Sequence, residues 1–368
     1  MKNILFIGPY RQCDGWGYAA RDYIMALNET QHRISCKPVY LGRPNSAGLH
    51  PKILQTEQVQ FDKPDIVIQN VLPPYLDYQY GMKNIALCYI ETNHLQHTSW
   101  IGHLNLMDEI WVASEHEKRI LLANGVTVPI RCVPMPIDCD TIDTYTEKWP
   151  VAHSDSSCIF YTVSEYSERK NIQALITAFY NEFYHTESAQ LLLKLHKPGM
   201  TEAVLYQLLA KDILALKNEL RLYKAEWGYP DILLAIQNLS MAHLTSIHRC
   251  GDCFIMPSRG ESLCRPLMDA MYVGNQVIVT KHTGMDDIAT GPGTYNVDSM
   301  EQAVRVKYPP LPYLYTGRET WQEISIPRLQ KAMRAALCDW EAGITYDRTY
   351  IKDTYGYKAI AKTIKELL

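Results

Sequence analysis

Two stretches of the sequence set charged side chains where an apolar run gives way to a helical pattern. In PSRGESLCRPLMDAM (257–271), Glu261 follows Ser258, Arg259 and Gly260, and Asp269 comes eight positions later. Pro266, with its fixed φ and missing donor, suits the first position of a helix. That places Glu261 in the preceding loop and Asp269 in the first helical turn. Free backbone N–H groups around 262–266 would then seat an anion or a polar sugar. The two carboxylates are acceptors that suit vicinal hydroxyls, on a sugar ring and on a ribose. The plainer alternative is that Asp269 only complements the helix dipole while Glu261 is solvated.

The second stretch is VSEYSERKN (163–171), again a strand end followed by a helix. Arg169 can bind phosphate oxygens through its planar fork, and Lys170 as a point charge. The alternative is a solvated basic pair beside Glu165 or Glu168. A third stretch, GPYRQCDGWGYAAR, puts Gly15 and Gly17 ahead of a helix, where glycine lets a backbone approach a ligand closely. It is not the dinucleotide fingerprint. Cys250 and Cys253 have redox-motif spacing, but Cys253 opens the apolar run CFIM and reads as a core thiol. His94, His97 and His103 cluster after Glu91 without an orderly zinc ligand set. They read as loop histidines, with His94 a candidate for the acceptor side of a site, and no metal site is expected.

These residues need a frame. ILFIG, DIVIQN, NIALCYIE, DEIWVAS and IRCVPMPID are short apolar runs that alternate with helical patterns such as YAARDYIMAL. Such alternation predicts a parallel sheet covered on both faces. CDTIDTYTEKWPVAHSDSS (139–157) is polar and aperiodic and reads as a linker. The pattern then restarts with SCIFYTVS, QLLLKLH, DILLAIQ, DCFIMPS and NQVIVTK. The expected fold class is therefore α/β, with two doubly wound Rossmann-like domains at 1–150 and 151–348. The helix at about 349–368 is free to pack on either. Ligands of open parallel sheets bind outside the carboxyl ends of the strands, so the cleft between the domains is the expected site.

A chain of 368 residues is long enough for two such cores. The net charge of −4 argues against binding nucleic acid by bulk electrostatics. Residues 1–150 hold 13 Lys and Arg against 16 Asp and Glu, so no basic half is hidden. The 25 tyrosines lack the basic companions of a base-stacking surface. Ten scattered cysteines, several within apolar runs, point to reduced thiols and a cytoplasmic setting. The N-terminal run breaks at Gly8-Pro9 and reads as a first strand, and no run reaches the length of a membrane span. Peripheral membrane contact stays compatible with this composition.

Taken together, these residues resemble the retaining, nucleotide-sugar-dependent glycosyltransferases of GT-B fold, the group 1 glycosyl transferases. The likeness is strongest over about 230–290, where a strand ending in Pro-Ser leads to an acid, Pro-Leu, a second acid and Ala-Met. The family spaces two glutamates by seven residues; this chain has Glu261 and Asp269. The resemblance implies that Glu261 contacts hydroxyls of the donor sugar. The backbone of Ser262, Leu263 and Cys264 would line sugar and phosphate, and Asp269 would hold the ribose. It matches Lys170 to a phosphate-binding lysine and Gly17 to a glycine near the diphosphate. It places the backbone around Ile236–Leu239, with Asn238, beside the nucleobase. The family's arginine five residues before the lysine is Glu165 here, with Arg169 able to supply the charge. Its glycine-rich tripeptide is Ser262-Leu263-Cys264, which narrows the sugar pocket.

The function so implied is transfer of a sugar from a nucleotide-diphosphate donor to an acceptor hydroxyl, with retention and without a metal or other cofactor. Lys170, Arg169 and Glu261 are the expected catalytic residues, with Glu91 and His94 on the acceptor side. The expected acceptor is a carbohydrate, a lipid-linked species or a small molecule. Alternative readings are a glycosyltransferase acting on DNA bases or protein, a degenerate GT-B binding protein, and a sugar-nucleotide epimerase.

Overall fold

The computed structural model describes residues 1–40, 48–152, 156–220, 222, 228–306 and 315–368. The chain divides into two compact units. The first comprises Met1–Asp138, Ala303–Thr320 and Tyr350–Leu368, and the second Cys139–Gln302 and Trp321–Thr349.

The first unit opens with β1 (Asn3–Gly8), α1 (Gly15–Asn28), β2 (Arg33–Pro38), α2 (Pro51–Gln58) and β3 (Ile66–Gln69). It continues with β4 (Lys83–Leu87), α3 (Trp100–Leu104), β5 (Glu109–Val112), α4 (Glu115–Ala123) and β6 (Ile130–Cys132). All six strands are parallel, in the order β2-β1-β3-β4-β5-β6. β3 and β5 are buried along their whole length, as helices on both faces require. Ala86, Trp100, Leu104, Ile110 and Leu121 form part of a core on one face.

The second unit begins with α5 (Cys139–Thr144), β7 (Cys158–Glu165), α6 (Ile172–Glu182), β8 (Ala189–His196) and α7 (Glu202–Leu220). There follow β9 (Ile232–Ala235), α8 (Met241–Cys250), β10 (Cys253–Met256), α9 (Arg265–Tyr272), β11 (Gln276–Thr280) and β12 (Thr294–Val297). Its sheet is again parallel, ordered β12-β11-β10-β7-β8-β9. Phe160, Phe179 and Phe183 anchor its core, with Phe160 and Phe183 stacked at 5.4 Å. A short pair, β13 (Ser299–Ala303) and β14 (Thr320–Ile324), precedes α10 (Ile326–Glu341). The chain ends in α11 (Thr349–Tyr355) and α12 (Tyr357–Leu367).

The first stretch ends at Asp138, ahead of the expected boundary at 150. Residues 139–149 are tied to α8. Arg249 donates to the carbonyls of Ile142 (2.8 Å) and Tyr145 (3.2 Å), and the Trp149 N–H to that of Ser246 (3.0 Å). The expected linker 139–157 thus contains a helix; its residues 153–155 lie outside the described residues. α12 packs along α1, where Tyr357 Oη donates to Asp22 at 2.7 Å. Four strands escape the apolar-run pattern. β2 (RISCKP) carries charge near both ends, β12 and β13 expose part of their length, and β14 (TWQEI) is half polar. No helix among the described residues is long and apolar enough to cross a membrane.

Candidate functional site

In the second sheet the strand order reverses between β7 and β10, which are neighbours although separated in sequence. Loops leaving the carboxyl ends of strands at such a switch point splay apart and leave a crevice. One of these loops is 166–171 and the other 257–264, so the topology itself sets Arg169 and Lys170 beside Glu261.

Arg169 Nη1 lies 2.9 Å from Glu261 Oε1 and 2.6 Å from the Gly260 carbonyl. Lys170 Nζ reaches the same Glu261 oxygen. The side chains are 16%, 14% and 7% exposed, so the triad is largely removed from water. Burial favours the neutral form of Glu261. Lys170 and Arg169 outweigh it and hold the carboxyl below the usual carboxylate range. The basic pair is thus held by an acid from the other loop, and Glu261 is not solvated. Two cations on one carboxylate leave a local excess of one positive charge.

The loops are stapled through backbone. The Arg259 N–H donates to the Arg169 carbonyl at 2.8 Å, and Ser258 Oγ donates to the same oxygen at 3.3 Å. Gly284, in the turn after β11, donates its N–H to the Glu261 carbonyl at 2.9 Å. A Cβ on Gly284 would lie 1.8 Å from the Ser262 carbonyl oxygen, so only glycine fits. Sequence reasoning missed Gly284, Arg259 and Glu323; the Thr283-Gly284 pair was the available signal for the first.

Ser262, Leu263 and Cys264 follow, all buried. Cys264 is the N-cap of α9 and adopts a left-handed conformation, φ 94°. Burial first, then the Glu261 charge, pushes its thiol up to about 12, so it stays protonated and unreactive. Because Cys264 caps the helix, Arg265 is its first residue and Pro266 its second. Asp269 consequently lies in the second turn, not the first, and is too far from the helix end to serve mainly the dipole. Its Oδ2 is 3.6 Å from Arg265 Nε, one turn earlier.

Asn238 follows β9 on the same carboxyl edge, is exposed, and gives its backbone N–H to Glu202 at 2.9 Å. Lys194 on β8 is 5% exposed, and burial pushes its ammonium down to about 8.

The remaining candidates belong to the first unit. Gly17 sits in the first turn of α1, its N–H received by the N-cap Asp14 at 2.8 Å. A Cβ there would lie 2.2 Å from the Gln12 carbonyl oxygen, so the closure of its own loop already demands glycine. Glu91 and His94 follow β4. His94 is exposed in a left-handed conformation, φ 60°. Tyr315 Oη donates to Glu91 at 3.4 Å. The loop is anchored by Glu117, which is fully buried and accepts the N–H groups of Ile90 and Ala113. Cys250 and Cys253 are buried and free, and no group of three or more His, Cys, Asp or Glu that could hold a metal occurs among the described residues.

No protein-family model and no curated protein matches the sequence. Solved structures match the fold. The sucrose-phosphate synthase of Thermosynechococcus elongatus superposes with a TM-score of 0.64 at 14% identity, over 100% of this chain and 98% of that one. Anabaena HepE in complex with UDP also gives 0.64 at 14% identity, over 100% and 99%. Trehalose-6-phosphate from E. coli bound with UDP-2-fluoro glucose gives 0.61 at 11%, over 99% and 98%. The chain has the GT-B fold, with two Rossmann-like units.

Proposed function

We propose that this GT-B chain is a glycosyltransferase that takes a sugar from a nucleotide diphosphate, and that the Arg169–Lys170–Glu261 triad binds the donor. The observation that carries this reading is the pair of buried cations on one carboxylate at the switch point of a parallel sheet. UDP and UDP-glucose in the HepE structures support the donor class.

The chemical problem is departure of a diphosphate while a hydroxyl attacks the anomeric carbon. Lys170 and Arg169 supply positive charge for the leaving oxygens, and in a dry site each such contact contributes roughly 2–4 kcal/mol. The N–H groups at the start of α9 add a smaller share. Glu261 orients both cations and presents its second oxygen to a donor hydroxyl, while Asp269 receives the ribose. With this much cationic charge in place we assign metal-independent transfer, and retention by the family resemblance. Glu91 and His94 are assigned to the acceptor. Buried thiols such as Cys36, Cys88, Cys158 and Cys253 support a reducing compartment.

The test is a panel of UDP-, GDP- and ADP-sugars, read by thermal stabilisation and by slow hydrolysis of the donor. Stabilisation by one base, lost in Lys170→Ala, is expected. If no nucleotide sugar binds, the reading fails; if one binds without turnover on any acceptor, the chain is a degenerate binding protein.

A further inference from the structure

A strand that has no part in the chemistry above contacts the neighbours of the two donor-site cations. On β14, Trp321 and Glu323 share one face. Glu323 Oε1 accepts from Asn171 Nδ2 at 2.9 Å, and Oε2 lies 2.5 Å from Arg259 Nε. Asn171 directly follows Lys170 and caps α6 in a left-handed conformation, φ 53°. The Arg259 backbone N–H holds the Arg169 carbonyl, as described, and its guanidinium donates to the Glu168 carbonyl. The Gln322 N–H donates to the Arg259 carbonyl at 2.7 Å, and the Trp321 ring centre lies 5.4 Å from the Arg259 guanidinium carbon. One carboxylate therefore grips the residue after Lys170 and also the residue whose backbone grips Arg169.

We propose that Glu323 is a positioning residue for the anion site, holding Asn171 and Arg259 so that Lys170 and Arg169 both face the donor diphosphate. The proposal rests on the donor-site reading above. Glu323 and Arg259 are 24% and 22% exposed, and an ion pair so placed adds little to global stability. Its effect is on geometry: Asn171 can leave the left-handed conformation once its side chain is released, and Lys170 moves with it. The charge itself is not the main point, because the amide oxygen of a Glu323→Gln variant still accepts from Asn171.

The experiment is calorimetric titration of UDP into the wild type, Glu323→Ala, Glu323→Gln, Lys170→Ala and the Lys170→Ala/Glu323→Ala double variant, with a thermal melt of each. Glu323→Ala should weaken UDP by about 10- to 100-fold with a nearly unchanged melt. Glu323→Gln should recover part of that loss. The double variant should lose less than the sum of the two single losses, because part of the Glu323→Ala loss acts through the Lys170 ammonium and only the rest through Arg169. Additive losses, or unchanged UDP affinity in Glu323→Ala, overturn the proposal. A crystal structure of Glu323→Ala supplies a readout without ligand. Lys170 displaced from Glu261 is expected, and an unmoved 166–171 loop overturns the proposal whatever the wild type does with UDP. Absence of UDP binding by the wild type, with that loop displaced, counts against the donor-site reading and not against the positioning role.

Discussion

Lys170 and Glu261, ninety-one residues apart in sequence, form a buried ion pair because β7 and β10 are neighbours in the sheet. Arg169 shares the same carboxylate oxygen. Removing the acid and removing one cation should therefore have opposite emphases. Glu261→Ala leaves two uncompensated buried cations and should cost about 3–5 kcal/mol of stability. Lys170→Met leaves Arg169 on Glu261, so it should cost less stability while turnover falls by orders of magnitude. Urea denaturation beside donor hydrolysis separates the two. A Glu261→Ala protein as stable as the wild type would show that water already reaches the cations. The pH dependence follows from the lowered carboxyl. Its stabilisation is present above the unfolded value of 4.5 and lost only as pH falls through the lower folded one. The contribution of the triad to stability should then be constant between pH 6 and 8.

Cys264 holds φ 94° with a Cβ in place, which is the natural province of glycine. A left-handed conformation costs a non-glycine residue roughly 1–2 kcal/mol. Cys264→Ala keeps that strain and loses buried sulfur, whereas Cys264→Gly loses the sulfur and the strain together. Glycine should therefore be the more stable replacement by about that 1–2 kcal/mol. Equal melting temperatures for the two variants would mean that the segment relaxes without help. The glycine variant also widens the space beside Glu261, so its donor-sugar preference should broaden in a competition assay.

Much of this site was legible in the sequence, for a physical reason. Strands buried on both faces read as unbroken apolar runs, so β7, β8, β10 and β11 were visible, and with them the loops that carry Lys170 and Glu261. What the runs do not encode is which strands are neighbours. The meeting of Arg169, Lys170 and Glu261 on one oxygen needed the order β10-β7, and Glu165 and Glu168 were equally good partners on spacing alone. Glu323 was invisible because β14 (TWQEI) is short, half polar and preceded by no helical pattern. Asp269 was placed in the first turn instead of the second, one residue too early, because Cys264, not Arg265, caps α9. The boundary near 150 was missed because residues 139–149 look like a polar linker until Arg249 is seen to hold their carbonyls.

Gly284 offers a test of how tightly the turn after β11 supports the acid. A methyl group at this position meets the Ser262 backbone carbonyl, which cannot swing aside as a flexible side chain would. Gly284→Ala should lose about 2–3 kcal/mol or more, since backbone must shift to admit it. It should also weaken UDP, because Glu261 and Ser262 shift with that backbone. Gly15→Ala is the control: its Cβ meets nothing within 4 Å, so the melt should stay close to that of the wild type. Similar melts for the two variants would place the Gly284 constraint in doubt.

Glu117 links the loop after β4 to pH. It is fully buried beneath the segment that carries Glu91 and His94, and burial outweighs its backbone hydrogen bonds, pushing the carboxyl up to about 8 from 4.5. A folded value above the unfolded one means that protonation favours the folded state. The stabilisation is complete below 4.5 and is lost as pH rises through about 8. Glu117→Gln cannot titrate. Measured by urea denaturation, the wild type should lose stability relative to this variant by a few kcal/mol between pH 5 and 9. The Ile90 N–H loses no acceptor in that range, so the loop stays anchored and donor hydrolysis should change less than stability does. A stability difference that stays flat from pH 5 to 9 would mean that the N–H groups of Ile90 and Ala113 keep Glu117 ionised throughout, and the loop would then be insensitive to pH.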